Sequence, residues 1–214
     1  TEVAMNRAVP RQDLLCRKCK LLPETLAHVI GQCSYTKAER IRRHNEILKL
    51  VMDKVSQKDP CAVLVKEPSL TDRGEVLKPD LVVKTGGRVL VVDVTVRHED
   101  GNYLENGRQE KVNKYSRLLP QVKERFGASE GAVVPVVVGT WGGMPKFTIE
   151  DLKQLGIKNK SSMLTSGRRS RSSTISWNTG WGEVCPVGDF PDDAFLEGLL
   201  ILTLSVSSSV HTLL

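Results

Sequence analysis

The chain has 214 residues, of which 40% are hydrophobic and 26% are charged, with a formal net charge of +6. This composition is typical of a compact α/β protein and excludes collagen, coiled-coil and disulfide-scaffold classes. Residues 181–214 contain five acidic residues and no Lys or Arg, so residues 1–180 carry a net charge of +11. A basic body of this kind favours polyanionic partners.

The first 35 residues contain a cluster of metal-ligand side chains in the pattern C-x2-C-x8-H-x4-C, formed by Cys16, Cys19, His28 and Cys33. A structural zinc ion needs four nitrogen or sulfur ligands, and this spacing supplies four. We therefore predict a small zinc knuckle over residues 1–35 that depends on the ion for folding. The alternative is three unrelated thiols beside a surface histidine.

Five cysteines, clustered in this way, are a poor layout for a disulfide framework and favour a reducing compartment. The chain begins at Thr1 and its first residues lack the apolar stretch of a signal peptide. We expect a piece of a longer protein that is not secreted.

The next segments read as one helix followed by strands. Apolar residues recur at helical spacing among Arg and Lys over residues 36–54, which predicts an amphipathic basic helix. Its Arg42, Arg43 and His44 are candidate contacts to nucleic acid, although a solvated helix face is the alternative. Residues 62–65, 81–83 and 88–96 are rich in β-branched residues, and the turn at residues 85–87 predicts a hairpin between the last two segments.

The second half of the predicted domain alternates helix and strand. Residues 105–126 predict a long helix, with Pro120 as a kink or boundary. Residues 133–138 predict a strand whose Pro135 favours an edge or a bulge. Thr148 and Asp151 then resemble a capping box that opens a short helix. This order predicts an α/β fold, a mixed sheet flanked by helices, over residues 36–157.

The remaining residues, 158–214, predict a basic linker and an irregular C-terminal tail. The one continuous apolar run in this segment, residues 199–204, falls well short of the roughly 20 residues that a membrane-spanning helix requires. We therefore favour a strand or helix packed on the core, or a tail without structure, and a membrane anchor is the less favoured alternative.

Two acidic residues stand out against the predicted strands. Asp93 lies within a valine-rich strand, where alternation places Val92, Val94 and Val96 on one face and Asp93, Thr95 and Arg97 on the other. A buried carboxylate is costly unless it is paired or bound to a metal. Asp80 opens the neighbouring strand, so both carboxylates can converge on one cation. Their oxygens suit Mg²⁺ or Mn²⁺, which can activate water for attack on phosphorus.

Three further residues are candidates for the same site. A lysine beside the metal would stabilise an anionic transition state, and its common place, two residues beyond the second acid, is occupied here by Thr95. Lys111 and Lys114 on the following helix are the replacements, and Lys111 is preferred because it borders the predicted buried face. Glu67 is either a further carboxylate of the site or an exposed acid.

Simple structural roles are the alternative for these residues. Asp80 can be a turn carboxylate, and Asp93 can pair with Arg97 or Lys111. Arg108, with Lys111 and Lys114, forms a stripe that can follow a DNA strand or be ordinary surface.

The ordered combination of motifs resembles a known family. The cysteine–histidine knuckle is followed by R-H-N at residues 43–45, E-P at 67–68, L-K-P-D-L-V at 77–82, V-D-V-T-V at 92–96 and E-K-V-x2-Y at 110–115. Over about residues 10–150 this order resembles the C-terminal part of R-two-type non-LTR retrotransposon polyproteins. In that family the region follows the reverse transcriptase and joins a zinc knuckle to a restriction-like endonuclease of the PD-(D/E)XK type.

The resemblance implies a function for the chain. Asp80 and Asp93 would be the metal-binding acids and Lys111 the displaced lysine. The family nuclease nicks chromosomal DNA, and the released 3′ hydroxyl primes reverse transcription of the element's RNA. We thus expect a nuclear, Mg²⁺- or Mn²⁺-dependent endonuclease with a structural zinc, acting on double-stranded DNA, with element RNA as a further partner and no small-molecule cofactor.

The sequence departs from the family pattern in two respects. It contains no polymerase motif with paired aspartates, so this chain alone should not copy RNA, and residues 185–214 look foreign to the family. The alternative function is therefore a catalytically inactive remnant that binds nucleic acid through the zinc knuckle and the basic helix. In either case affinity for nucleic acid should fall steeply as salt rises.

Overall fold

The structure, a computed structural model, describes residues 15–157. Its helices are α1 (Leu26–Gly31), α2 (Lys37–Lys58), α3 (Tyr103–Ser116), α4 (Leu119–Phe126) and α5 (Lys146–Gln154). Its strands are β1 (Val63–Lys66), β2 (Leu70–Asp72), β3 (Glu75–Leu77), β4 (Leu81–Thr85), β5 (Arg88–Arg97) and β6 (Glu130–Gly139). The predicted linker and tail over residues 158–214 lie outside the described residues, and the predicted domain boundaries stay predictions.

Four strands form a mixed sheet in the order β1-β4-β5-β6. The β1–β4 and β4–β5 pairs are antiparallel, whereas β5 and β6 are parallel. The predicted hairpin is confirmed, with Leu81 opposite Val92 in its register. The expectation of a mixed sheet flanked by helices is also confirmed.

A second, two-stranded sheet is inserted between β1 and β4. Strands β2 and β3 form a short hairpin, and its turn contains Arg73 and Gly74, both in the left-handed region at φ 48° and 81°. The two ends of the insertion meet, because the Glu67 N–H donates to the Asp80 carbonyl at 2.9 Å. Asp80 is therefore held to the end of β1 across the sheet.

The central strand β5 is buried on both faces, and its side chains alternate as predicted. Val92 and Val94 belong to a core cluster with Ile47, Leu48 and Val51 of α2 and with Leu152 of α5. Val89 and Val91 pack on the opposite face against Tyr115, Leu118 and Val122 of the α3–α4 region. A strand covered on both faces needs the continuous apolar sequence seen here.

The prediction of one long helix over residues 105–126 is wrong, and the boundary alternative for Pro120 is correct. Two helices, α3 and α4, occupy this segment, and Pro120 lies in the first turn of α4. Proline is tolerated there because the first-turn N–H groups have no partner within the helix. Pro135 lies on β6, which is an edge strand of the four-stranded sheet, as expected.

The predicted capping box at Thr148 is wrong. Helix α5 begins two residues earlier, at Lys146, and Pro145 is its N-cap. The buried Thr148 hydroxyl instead donates to the Val137 carbonyl at 2.8 Å. Thr148 thus ties α5 to β6, because Thr and Ser side chains bond to nearby backbone groups in several ways.

Within residues 15–157, no helix has the length and apolar character needed to cross a bilayer.

The core assignment of α2 can be tested with two substitutions on the same helix. Ile47 is fully buried in the core, so Ile47→Ala should lower the free energy of unfolding by about 2–5 kcal/mol. Ile41 is 50% exposed, so Ile41→Ala should change it by less than about 0.5 kcal/mol. Urea unfolding of the full zinc-loaded chain measures both, and equal losses would contradict this placement of α2.

Candidate functional site

The four predicted zinc ligands come together. Ligand atoms of Cys16, Cys19, His28 and Cys33 all lie within 4.8 Å of one another. The Cys16 and Cys33 sulfurs are 3.8 Å apart, and the Cys19 sulfur lies 3.2 Å from His28 Nε2. Tetrahedral zinc with Zn–S bonds of about 2.3 Å places two sulfurs about 3.8 Å apart. The cluster can therefore hold a structural zinc ion.

Local backbone geometry positions these ligands. Lys20 adopts a left-handed φ of 60°, and its N–H donates to the Cys16 carbonyl at 2.8 Å, which folds the C-x2-C segment back on itself. The Thr25 hydroxyl accepts a hydrogen bond from the His28 N–H at 3.1 Å and caps α1. The Cys33 N–H donates to the His28 carbonyl at 2.7 Å, so the last two ligands are held together.

The thiols differ in their electrostatics. A backbone hydrogen bond from Leu21 is the main cause that lowers the pKa of Cys19 to about 6. Burial raises the pKa of Cys33. Since the thiolate is the metal-binding form, Cys19 is the thiol of this pair that is more readily available as a ligand.

A second group of polar side chains lies at the end of β4 and β5. Asp80 Oδ2 accepts hydrogen bonds from the Val94 N–H at 2.7 Å and from His44 Nε2 at 3.0 Å. No hydrogen bond from the described residues reaches the other oxygen, Oδ1. His44 belongs to α2, so that helix and the sheet together fix the orientation of the Asp80 carboxylate.

Asp93 is buried beside Asp80, with 3% of its surface exposed. Burial raises the pKa of Asp93, and the Asp80 carboxylate raises it further. The Lys111 ammonium lies 2.9 Å from Asp93 Oδ1 and opposes this effect. This oxygen has the ion pair but no directional hydrogen bond within the described residues. Two acids that repel each other thus have separate partners, Lys111 for Asp93 and His44 for Asp80.

Tyr115 lies beside Asp80 and Asp93. Its buried hydroxyl donates to the Lys78 carbonyl at 3.3 Å, just before Pro79 and Asp80. Burial and the nearby Asp93 both raise the pKa of Tyr115, so the phenol stays protonated at neutral pH. Tyr115 therefore holds the turn that places Asp80.

The donor set of Asp80 and Asp93 fits a hard divalent cation. The hydrogen bonds to Asp80 go to Oδ2, Asp93 Oδ1 holds the Lys111 ammonium, and Mg²⁺ and Mn²⁺ prefer carboxylate oxygens completed by water. Within residues 15–157, no third carboxylate joins the pair. The Glu67 side chain is 62% exposed and 4.0 Å from Lys66, so the structure brings its backbone but not its carboxylate to the site.

The predicted lysines occupy different environments. Lys111 points at Asp93, whereas the Lys114 ammonium lies 4.9 Å from the centre of the Tyr115 ring. Arg108 donates two hydrogen bonds to Asp151 of α5, at 2.8 and 3.2 Å. The predicted stripe on α3 is therefore not a row of three free cations.

The predicted basic residues of α2 also differ in exposure and in their contacts. Arg42 is exposed and pairs with Glu39 at 2.7 Å. Arg43 is buried, with 3% exposure, and His44 contacts Asp80. The solvated-face interpretation therefore describes Arg42 but not Arg43 or His44.

Sequence reasoning missed two contacts of the acid group. Tyr115 is four residues after Lys111, a spacing that puts both on one helix face and could have indicated their common role. The contact between His44 and Asp80 joins residues 36 positions apart, and no local pattern could have shown it.

Comparison with known proteins shows which proteins the chain is similar to. No protein-family model matches it. It is 30% identical, over 80% of its length, to the "Retrovirus-related Pol polyprotein from type-1 retrotransposable element R2" of Bradysia coprophila. The type-2 element R2DM polyprotein of Drosophila melanogaster is 28% identical over 65%, and an R2 polyprotein of Popillia japonica is 30% identical over 64%. The chain is homologous to R2 Pol polyproteins.

The resemblance noted from the sequence motifs is thereby confirmed. The chain spans 20% of the Bradysia R2 polyprotein, 13% of the Drosophila one and 29% of the Popillia one. The chain therefore matches one part of these R2 Pol polyproteins, and the chain itself contains the Cys/His cluster.

The zinc assignment predicts a selective effect of ligand replacement. The full chain should bind one zinc ion, and Cys19→Ala or His28→Ala should weaken binding by more than the roughly 10–100-fold that loss of an outer-shell partner costs. His28→Cys keeps four ligands and should retain the ion. Metal content after gel filtration and thermal unfolding measure this, and full zinc retention in both alanine variants would contradict the assignment.

Proposed function

We propose that this chain is a Mg²⁺- or Mn²⁺-dependent endonuclease of an R2 Pol polyprotein, with a fold of the PD-(D/E)XK type, that nicks one strand of double-stranded DNA. The observation that carries the proposal is the meeting of Asp80, Asp93 and Lys111 at the end of the β4–β5 hairpin. Homology to polyproteins of retrotransposable elements supports a role on nucleic acid. The net charge of +11 over residues 1–180 suits a phosphate backbone.

The residues of the site have different roles in phosphodiester hydrolysis. A divalent cation held by Asp80 and Asp93 would lower the pKa of a bound water and offset charge on the phosphate oxygens. His44 and the Val94 N–H hold Asp80 Oδ2, which leaves Oδ1 directed to ligand binding. Lys111 supplies positive charge 2.9 Å from Asp93, where the anionic transition state develops.

Priming of DNA synthesis requires a 3′ hydroxyl, and this product determines which bond of the phosphodiester breaks. The water oxygen bonds to phosphorus, and the bond from phosphorus to the 3′ oxygen breaks. The proton released from water balances the one taken up by the 3′ oxygen. The products are a 3′ hydroxyl and a 5′ phosphate.

The proposal extends to the setting of the reaction. Double-stranded chromosomal DNA is the target, the element's RNA is a further partner, and the nucleus is the place of action. The Cys/His cluster serves as a structural zinc knuckle joined to the sheet by α2. No small-molecule cofactor is needed for the chemistry described.

A second candidate function is a nucleic-acid-binding remnant without catalysis. The observation that favours it is the pairing of Asp93 with Lys111 in the absence of a third carboxylate within the described residues. Such a pair can stabilise the fold without binding a catalytic ion. The two candidates differ in metal-dependent cleavage.

Nicking of supercoiled plasmid distinguishes them. The zinc-loaded full chain should convert plasmid to open circles only when Mg²⁺ or Mn²⁺ is added. Asp93→Ala should slow this by more than about 100-fold, because it removes a ligand and the negative charge that orients Lys111. Asp100→Asn, an exposed residue just beyond β5, is the matched control and should nick at the wild-type rate.

Folding must be checked in the same samples, because Asp93→Ala leaves Lys111 buried without its partner. Asp93→Asn is the near-isosteric variant, and its thermal unfolding should stay close to that of wild type. If the wild-type chain binds DNA but produces no open circles with either metal, the remnant function replaces the nuclease.

The two candidate lysines should differ in the same assay. Lys111→Met should reduce nicking by more than about 100-fold, because it removes the charge beside Asp93. Lys114→Met should reduce nicking by less than about fivefold and act through DNA affinity, as loss of one phosphate contact does. Single-turnover rates at saturating protein separate the two effects, and a larger rate loss for Lys114→Met would reverse the assignment.

A further inference from the structure

Arg43 is a buried cation outside the group of Asp80, Asp93 and Lys111. It lies on α2 one turn before Ile47, on the side of the helix that faces the sheet, and only 3% of its surface is exposed. Its neighbour Arg42, rotated by about 100° around the helix axis, is exposed. Arginine is almost never buried without a partner, so the environment of Arg43 requires an explanation.

No carboxylate compensates this charge. Among the described residues, Arg43 makes no ion pair, and its buried Nε atom has no hydrogen-bond acceptor. The charged group that influences its pKa is another cation, Arg40. Burial and Arg40 lower the pKa of Arg43 to about 10, so the guanidinium is still charged at neutral pH. Two arginines three residues apart on α2 thus repel each other, and Arg43 has no ion pair with an acid among the described residues.

Arg40 also has a buried guanidinium nitrogen without a hydrogen-bond acceptor. It is partly buried, its Nη2 donates to the Cys33 carbonyl at 3.2 Å, and its buried Nε has no acceptor within residues 15–157. Removing a cation from water without a partner is costly, and Arg43 incurs this cost more fully than the partly buried, hydrogen-bonded Arg40. An anionic ligand that accepts from both guanidinium groups would remove this cost.

The position of the pair indicates which anion. On one side, Arg40 contacts the backbone of Cys33, a ligand of the Cys/His cluster. On the other side, His44, the residue after Arg43, contacts Asp80. The pair therefore lies along α2 between the Cys/His cluster and the residue that contacts Asp80.

We propose that Arg40 and Arg43 form a binding site for one backbone phosphate of the nucleic acid, on α2 between the Cys/His cluster and the acid group. The proposal rests on the proposed function for the identity of the strand, but binding itself needs no catalysis. Guanidinium groups match phosphate oxygens with paired hydrogen bonds, which a lysine cannot reproduce. A phosphate bound by both guanidinium groups would fix the position of the strand along α2.

Binding measurements without added Mg²⁺ or Mn²⁺ test this directly. The probe is a fluorescently labelled DNA duplex of about 20 base pairs, titrated with the zinc-loaded full chain over a range of salt concentrations. Arg43→Gln should weaken binding at least fivefold and reduce the slope of log K against log salt by about 1, as expected for one lost phosphate contact. Arg40→Gln should act in the same direction. Arg43→Lys should restore only part of the affinity.

Arg42→Gln is the matched control, because Arg42 is adjacent in sequence but exposed and paired with Glu39. It should change affinity by less than twofold. If Arg42→Gln and Arg43→Gln weaken binding equally, the effect is one of general surface charge and the proposal is overturned. Loss of affinity in Arg43→Gln together with absence of nicking in wild type would support the phosphate site while contradicting the nuclease.

Thermal unfolding separates ligand binding from a structural role and free phosphate from the nucleic-acid backbone. Inorganic phosphate should raise the melting temperature of the wild-type chain above that in chloride of equal ionic strength, and this difference should vanish in Arg43→Gln. Arg43→Gln without phosphate should melt no lower than wild type, because it removes an uncompensated charge. A large fall in its melting temperature, with unchanged DNA affinity in Arg40→Gln, would show that the pair only supports the fold. A phosphate effect with unchanged DNA affinity in both variants would assign the site to a free anion and overturn the proposal.

Discussion

The burial of one carboxylate constrains this molecule more than any other interaction. Residues 89–95 of β5 are all buried, and Asp93 interrupts six apolar or uncharged residues with a group that prefers water. A lone ionised carboxylate cannot persist in such surroundings without compensation. The compensation comes from Lys111 of α3, which pairs with Asp93, whereas His44 of α2 and the β5 backbone hold the neighbouring Asp80 in place.

Helix α2 contacts the Cys/His cluster, the acid group and the hydrophobic core. Its first turns carry Arg40, which contacts the carbonyl of a zinc-ligand cysteine. Its middle carries His44, which contacts Asp80, and its remaining length fills the core with Ile47, Leu48 and Val51. A helix of 22 residues is about 33 Å long, so it can span this distance as one rigid element. The Cys/His cluster is thereby held at a fixed distance from the acid group.

Much of the fold could be predicted because the apolar patterns are strong. The alternation in β5 and the turn at residues 85–87 identified the hairpin and the faces of its side chains. The split between α3 and α4 was less certain, because a proline in a helical pattern can kink a helix or end it. The error at Thr148 has a similar origin, since its hydroxyl can bond either to its own helix or to a neighbouring strand, and only the packing of α5 on β6 decides.

The site was predictable to the extent that it is local. The C-x2-C-x8-H-x4-C spacing and the two acids on neighbouring strands are visible in the sequence. The burial of Arg43 is not, because it differs from Arg42 only by the 100° rotation between successive residues of a helix, and the direction of the core had to be known. Lys111 could be preferred over Lys114 because its neighbours predicted which face was buried.

The hairpin of β2 and β3 contains a position at which the chain can be lengthened. Its two ends are joined by the hydrogen bond from Glu67 to Asp80, and its base is anchored by Leu70 and Leu77 in the second core cluster. Arg117 of the α3–α4 connection pairs with the acids on its strands. The turn at Arg73 and Gly74 lies beyond these anchors. Chain added at that turn would leave the position of Asp80 unchanged, because lengthening a surface loop adds little closure entropy. This turn is accordingly the natural point at which to graft a tag, a fluorophore or a foreign recognition loop onto the domain.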